Sequence, residues 1–183
     1  MSTNSKKIVI DLCGGSGAWS KPYAESGYDV RVITLPENDV RNYQLPDGNI
    51  YGILAAPPCT MFSLARTRAK TPRDLREGME VVEACMKLIW EARTRGTLKF
   101  WALENPLGYL RQFLGKPAFC FEPYQFGHPY SKKTDIWGYF NAPKKIHNRK
   151  LTGFPSIAHI VRNPAKRAIT PEGFARAFFS ANQ

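Results

Sequence analysis

The sequence predicts a doubly wound α/β fold, and three features of its pattern support this. Apolar runs of strand length alternate with stretches of helical periodicity along the 183 residues. The first run empties into a glycine-rich turn, Cys13-Gly14-Gly15-Ser16-Gly17. Two later runs end in reactive side chains: Cys59 behind Pro57-Pro58, and Glu104-Asn105. In an open α/β sheet such strand ends gather at the carboxyl edge, where ligands bind.

Composition sets the bounds. With 43% hydrophobic and 13% aromatic residues, the chain reads as one ordered domain over residues 1–183. No apolar run is long enough to span a membrane. Met1–Lys7 runs into a strand with no signal-peptide pattern, so a cytoplasmic, membrane-free and monomeric protein is expected. The four cysteines form no C-x-x-C pair, so reduced thiols are expected rather than a disulfide framework or a metal site. A formal charge of +11 points to polyanions, nucleic acid first; a basic protein without such a partner is the alternative.

In chain order, Ile8–Leu12 reads as a first strand ending at Asp11, and Trp19–Ser26 as a helix closed by Gly27. Gly15-Ser16-Gly17 also fits a dinucleotide fingerprint, except that Ser20 stands where its third glycine belongs. Tyr28–Ile33 alternates as a second strand. In the loop that follows, Asp39 either accepts from an adenine amino group or begins a turn. Ile50–Ala56 is a third strand, stopped by two prolines that cannot donate to a ladder.

Thr60–Thr71 interleaves Arg66, Arg68 and Lys70 with small residues, as a phosphate-closing loop or a solvated one would. Thr71-Pro72 predicts the start of a long helix ending near Gly96, with Met79, Val82, Cys85, Met86, Ile89 and Trp90 on its core face. Phe100–Leu103 is a fourth strand and Leu107–Leu114 a short helix. An aromatic loop follows, then a strand over Asp135–Phe140. Residues 139–169 read as a short irregular basic segment. Thr170-Pro171 opens a last helix with Phe174, Ala177, Phe178 and Ala181 apolar.

With these residues in order, the chain resembles the cytosine-5 DNA methyltransferase family, in particular its small phage- or prophage-encoded members. Asp11-Leu12-Cys13-Gly14-Gly15-Ser16-Gly17 resembles the family's S-adenosylmethionine motif, and Asn38-Asp39-Val40-Arg41 the motif whose acid meets the adenine. Pro57-Pro58-Cys59-Thr60-Met61-Phe62-Ser63 is similar to the catalytic Pro-Pro-Cys motif, and Glu104-Asn105-Pro106 to Glu-Asn-Val. Gly127–Thr134 looks like a diverged Gly-x-Pro-Gln-x-Arg-x-Arg.

The resemblance implies a Rossmann-like, S-adenosylmethionine-dependent methyltransferase sheet. Its cofactor residues would be Asp11, Leu12, Gly15, Gly17, Asp39, Val40 and Pro58. Cys59, Glu104 and Lys132 would be catalytic. Ser63, Arg66, Arg68, Lys70, Asn105, Lys132 and Lys133 would meet duplex DNA with a base flipped out. The implied chemistry is attack of Cys59 at cytosine C6, with Arg66 or Arg68 favouring the thiolate and a neutral Glu104 bonding ring N3.

The departures are specific. Cys13 stands where an aromatic is usual, Thr34 or Leu35 where an acid holds the ribose, Thr60 for Gln, and Thr134 for the second Arg. The last helix has no matching Asn. Residues 139–169 stand in place of the family's target-recognition domain, so sequence reading is expected to be slight or supplied by basic loops or a partner. An RNA cytosine-5 methyltransferase and a catalytically weak nucleic-acid-binding module remain the alternatives.

Overall fold

Residues 6–66, 69–149 and 151–183 are described by a computed structural model of the chain. Alternation along the first strand, β1 (Ile8–Leu12), sends Ile8, Ile10 and Leu12 to one face and Val9 to the other, and every residue of it is buried. A strand covered on both faces needs two helical layers, and the chain supplies them. The long helix α2 (Leu75–Thr94) covers one face through Val82, Cys85, Leu88, Ile89 and Ala92. The opposite face packs Trp19 and Tyr23, flanking or within α1 (Lys21–Glu25), with Phe174 and Phe178 of the last helix, α6 (Glu172–Ala181).

Three more strands run parallel to β1: β2 (Asp29–Ile33) on one side, then β3 (Ile50–Ala55) and β4 (Phe100–Pro106) on the other. A short β5 (Phe119–Phe121) and β6 (Thr134–Tyr139) complete a six-stranded sheet of order β2-β1-β3-β4-β6-β5, with β6 antiparallel to both neighbours. The order reverses between β1 and β3, the switch point at which α/β sheets bind ligands. The architecture is mixed α/β and compatible with a Rossmann-like fold. Among the described residues no helix is long and apolar enough to cross a membrane.

Several boundaries differ from expectation for local reasons. α2 begins at Leu75 because Asp74 caps it, its carboxylate accepting from the Glu77 N–H at 2.9 Å. Trp90 is exposed rather than core, one residue off the stripe set by Val82, Cys85 and Ile89. β4 continues through Glu104-Asn105-Pro106 because β6 pairs with all three. The predicted helix over Leu107–Leu114 shrinks to α3 (Arg111–Leu114). Ahead of it Gly108 lies against Phe62, where any Cβ would collide with the Phe62 carbonyl oxygen. The segment 139–169 is not wholly irregular: it holds α4 (Ile157–Ile160) and α5 (Pro164–Ala168), capped by Ser156 and Asn163.

Candidate active site

Asp11 sits on the Val9 side of β1 and is fully buried. Its carboxyl lies beneath the glycine turn so closely that a Cβ on Gly14 would come within 2.6 Å of Oδ1, which explains the glycine there. The Ser20 hydroxyl donates to Oδ2 at 2.6 Å, so the residue that breaks the dinucleotide fingerprint is the one that holds the acid. Among the described residues Oδ1 has no hydrogen-bond partner, and neither does the buried indole N–H of Trp19. Cys13, at φ 57°, turns the chain out of β1 in a conformation uncommon for side-chain-bearing residues.

Burial pushes the Asp11 carboxyl up to about 6 against the pull of Ser20. Since this folded-state value exceeds the ordinary 3.8, ionised Asp11 weakens the fold above pH 6, and the penalty fades as pH falls towards 4. Two pK units correspond to about 3 kcal/mol. Asp11→Asn is therefore expected to stabilise the unliganded protein by about 1–3 kcal/mol at pH 7.5 and to flatten the pH dependence of the urea midpoint between pH 4 and 6.

Next to β1, β3 ends in Pro57-Pro58 and delivers Cys59. The Cys59 carbonyl accepts from the N–H groups of Phe62 at 3.0 Å and Ser63 at 2.8 Å, forming a tight turn. Phe62 anchors that turn with no exposed surface. Side chains clamp both ends: the Asn105 amide donates to the Pro57 carbonyl at 2.9 Å, and Arg73 donates to the carbonyls of Met61 and Ser63, both at 2.8 Å. The Arg73 guanidinium also lies 4.9 Å over the Tyr109 ring. Across the turn, antiparallel β6 brings Lys132 back to β4, with its ammonium 3.8 Å from Glu104.

These groups share one cavity of about 400 Å³, lined by Asp11, the turn from Cys13 to Ser16, Ala18, Trp19, Ala56–Cys59, Glu104, Pro106 and Lys132. That volume suits a small ligand. Its far wall comes from Ala165, Lys166, Ala168, Ile169 and Thr170. Burial raises Glu104 above the ordinary carboxylate range, with Lys132 opposing, so the acid is biased towards its neutral form. Burial likewise raises the Cys59 thiol; Glu104 adds to the shift, while Lys132 and Arg167 oppose it.

Of the expected site residues, Asp11, Gly15, Pro58, Cys59, Glu104 and Lys132 line this cavity. Others do not. Leu12 and Val40 are buried in the α2-side core. Gly17, buried, closes the turn by donating to the Gly14 carbonyl. Asp39 is held by its own loop: Arg41 donates to both carboxylate oxygens through Nε at 3.0 Å and keeps the acid below its usual range. Asn105 is fully buried and positions the Cys59 loop, so it is not free to meet nucleic acid.

Arg66 donates to Thr71 and Pro72 within its own loop, and the cations that act on Cys59 are Lys132 and Arg167 instead. Arg68 lies outside the described residues. Lys70 is exposed, and Ser63 lends its carbonyl to Arg73. Lys133 lines a separate cleft with Cys120, Glu122 and Lys145, as expected for the neighbour of Lys132 in an extended segment.

Sequence reading missed Trp19, Arg73 and the wall from α5. Asn163-Pro164 is a legible helix start, with Asn163 capping α5 and Pro164 opening it. No family model matches the chain, and no curated protein matches it.

Proposed function

We propose that the protein is an S-adenosylmethionine-dependent DNA cytosine-5 methyltransferase working through a covalent Cys59–C6 adduct. The observation that carries this reading is one cavity holding a thiol, a neutral-biased carboxyl with a lysine 3.8 Å away, and a buried acid under a glycine turn. The residues fit the cofactor: Asp11 Oδ1 and the Trp19 N–H are an acceptor and a donor beside the cavity with no partner among the described residues. When bound, S-adenosylmethionine supplies an electrophilic methyl group.

The chain's own residues do the rest. Cys59, as thiolate, adds to C6 of cytosine, breaking aromaticity and raising electron density at C5. Glu104, protonated, donates to N3 and disperses the charge that develops there, and Lys132 adds its field. C5 takes the methyl group, its proton leaves to a base, and expulsion of Cys59 restores the ring. A high thiol pKa makes Cys59 a strong nucleophile once deprotonated.

A catalytically weak nucleic-acid-binding module is the second reading, favoured by Asp39, whose carboxylate is taken up by Arg41. The test is incubation with methyl-labelled S-adenosylmethionine and, in parallel reactions, unmethylated duplex DNA or RNA, then nucleoside analysis. Label in 5-methylcytosine is the expected result; label in RNA alone moves the substrate class, and label in neither overturns the proposal.

A further inference from the structure

From Asp135 to Glu172 the chain carries no acidic residue but seven basic ones, Lys144, Lys145, Arg149, Lys150, Arg162, Lys166 and Arg167. A run this one-sided is a polyanion surface wherever it is held in place. It is held. The Ile146 N–H donates to the Gln125 carbonyl at 2.9 Å, and Phe154 stacks on Tyr124 at 4.8 Å. Ser131 exchanges backbone hydrogen bonds with Pro155 and Ile157 at 2.9 and 3.0 Å. Ser131 precedes Lys132, so the strap is fastened directly beside the cavity.

From that anchorage the strap runs through α5, whose Lys166 lines the cavity while Arg167 lies near enough for its charge to act on Cys59. Neither side chain has an acidic partner within 4 Å among the described residues, whereas Lys132, Arg41, Arg95 and Arg111 each have one. Lys166 in the cavity wall and Arg167 beside it in α5, with no internal acidic partner among the described residues, are set for an external anion. A nucleotide inserted towards Cys59 carries a phosphate on each side, and a guanidinium fork matches phosphate geometry.

We infer that α5 is a phosphate clamp: Lys166 and Arg167 bind the backbone phosphates flanking the nucleotide that enters the cavity. This rests on the nucleic-acid-modifying reading above and locates the grip that orients the substrate strand. Such contacts position without reading sequence.

The test is fluorescence anisotropy of a short labelled duplex, titrated with wild type, Lys166→Ser/Arg167→Ser, and a control pair, Lys144→Ser/Arg149→Ser, over about 50 to 200 mM salt. Lys144 and Arg149 are exposed on the same strap and do not line the cavity. Matching thermal melts establish that each variant is folded. The α5 pair is expected to lose about two units from the salt slope of log affinity, and the control pair about half that or less.

An unchanged slope in the α5 pair, or an equal loss in both pairs, overturns the clamp while duplex binding by wild type keeps the enzyme reading standing. Loss of S-adenosylmethionine affinity with duplex affinity intact also overturns it and reassigns Lys166 to the cofactor. A wild type that binds no polynucleotide removes the enzyme reading itself and the clamp with it.

Discussion

Serine in place of Cys59 is expected to lower methyl transfer at least about a thousandfold while S-adenosylmethionine affinity stays within about twofold. The loss is large because the thiol forms the bond that makes C5 reactive, and a serine hydroxyl is far less ionised at any working pH. Binding should survive because Asp11, Trp19 and the glycine turn line the same cavity and do not depend on that atom. Steady-state rates with labelled cofactor and a calorimetric titration check the two halves separately. Retention of more than about a tenth of the wild-type rate would rule out the covalent route.

The pH profile carries the same argument. Burial holds the Cys59 thiol above its ordinary range, so the reactive thiolate grows as pH rises above neutral. The wild-type rate should therefore climb as pH rises above neutral. Removing the Arg167 charge takes away one of the groups favouring the thiolate, so the rising limb should move to higher pH in Arg167→Ser.

What the sequence made legible follows the range of each signal. Strand ends announce themselves locally: two prolines stop β3, and a glycine turn stops β1, so the pattern alone places Asp11, Cys59 and Glu104 at one sheet edge. The reach of β4 through Asn105 depends instead on β6, some thirty residues on, and with that pairing the Asn105 amide turns inward to Pro57. Asp39 is engaged by Arg41, which folds back onto it through a conformational choice in their loop that no local pattern announces. Arg73 read as one more solvated cation, and only the packed turn reveals two carbonyls that need its donors. β5 is too short for alternation to register.

The largest stability effect is expected at the sheet's far edge, where Arg111 of α3 grips Asp135 of β6 with two hydrogen bonds of 2.6 Å. The Cys120 thiol of β5 adds a third donor at 3.1 Å, so one carboxylate ties three elements together. The two partners are unequal: Asp135 has no exposed surface, whereas Arg111 keeps about a third of its side chain exposed, at 35%. Cutting the pair from the arginine side strands a buried charge; cutting it from the aspartate side leaves a guanidinium that water can reach.

Arg111→Met is therefore expected to cost about 3–5 kcal/mol, a fall in melting temperature of about 6–20 °C for a domain of this size. Asp135→Asn should cost markedly less, and the double variant should lose less than the two single costs added together. Denaturation midpoints of the four proteins measure this directly. Equal costs for the two single variants would mean that the carboxylate reaches solvent when released, and that the buried-charge account of this edge is wrong. Because β6 also carries the chain from Lys132 to its pairing with Glu104, the same loosening should appear as a lower methyl-transfer rate in Arg111→Met at temperatures where it is still folded.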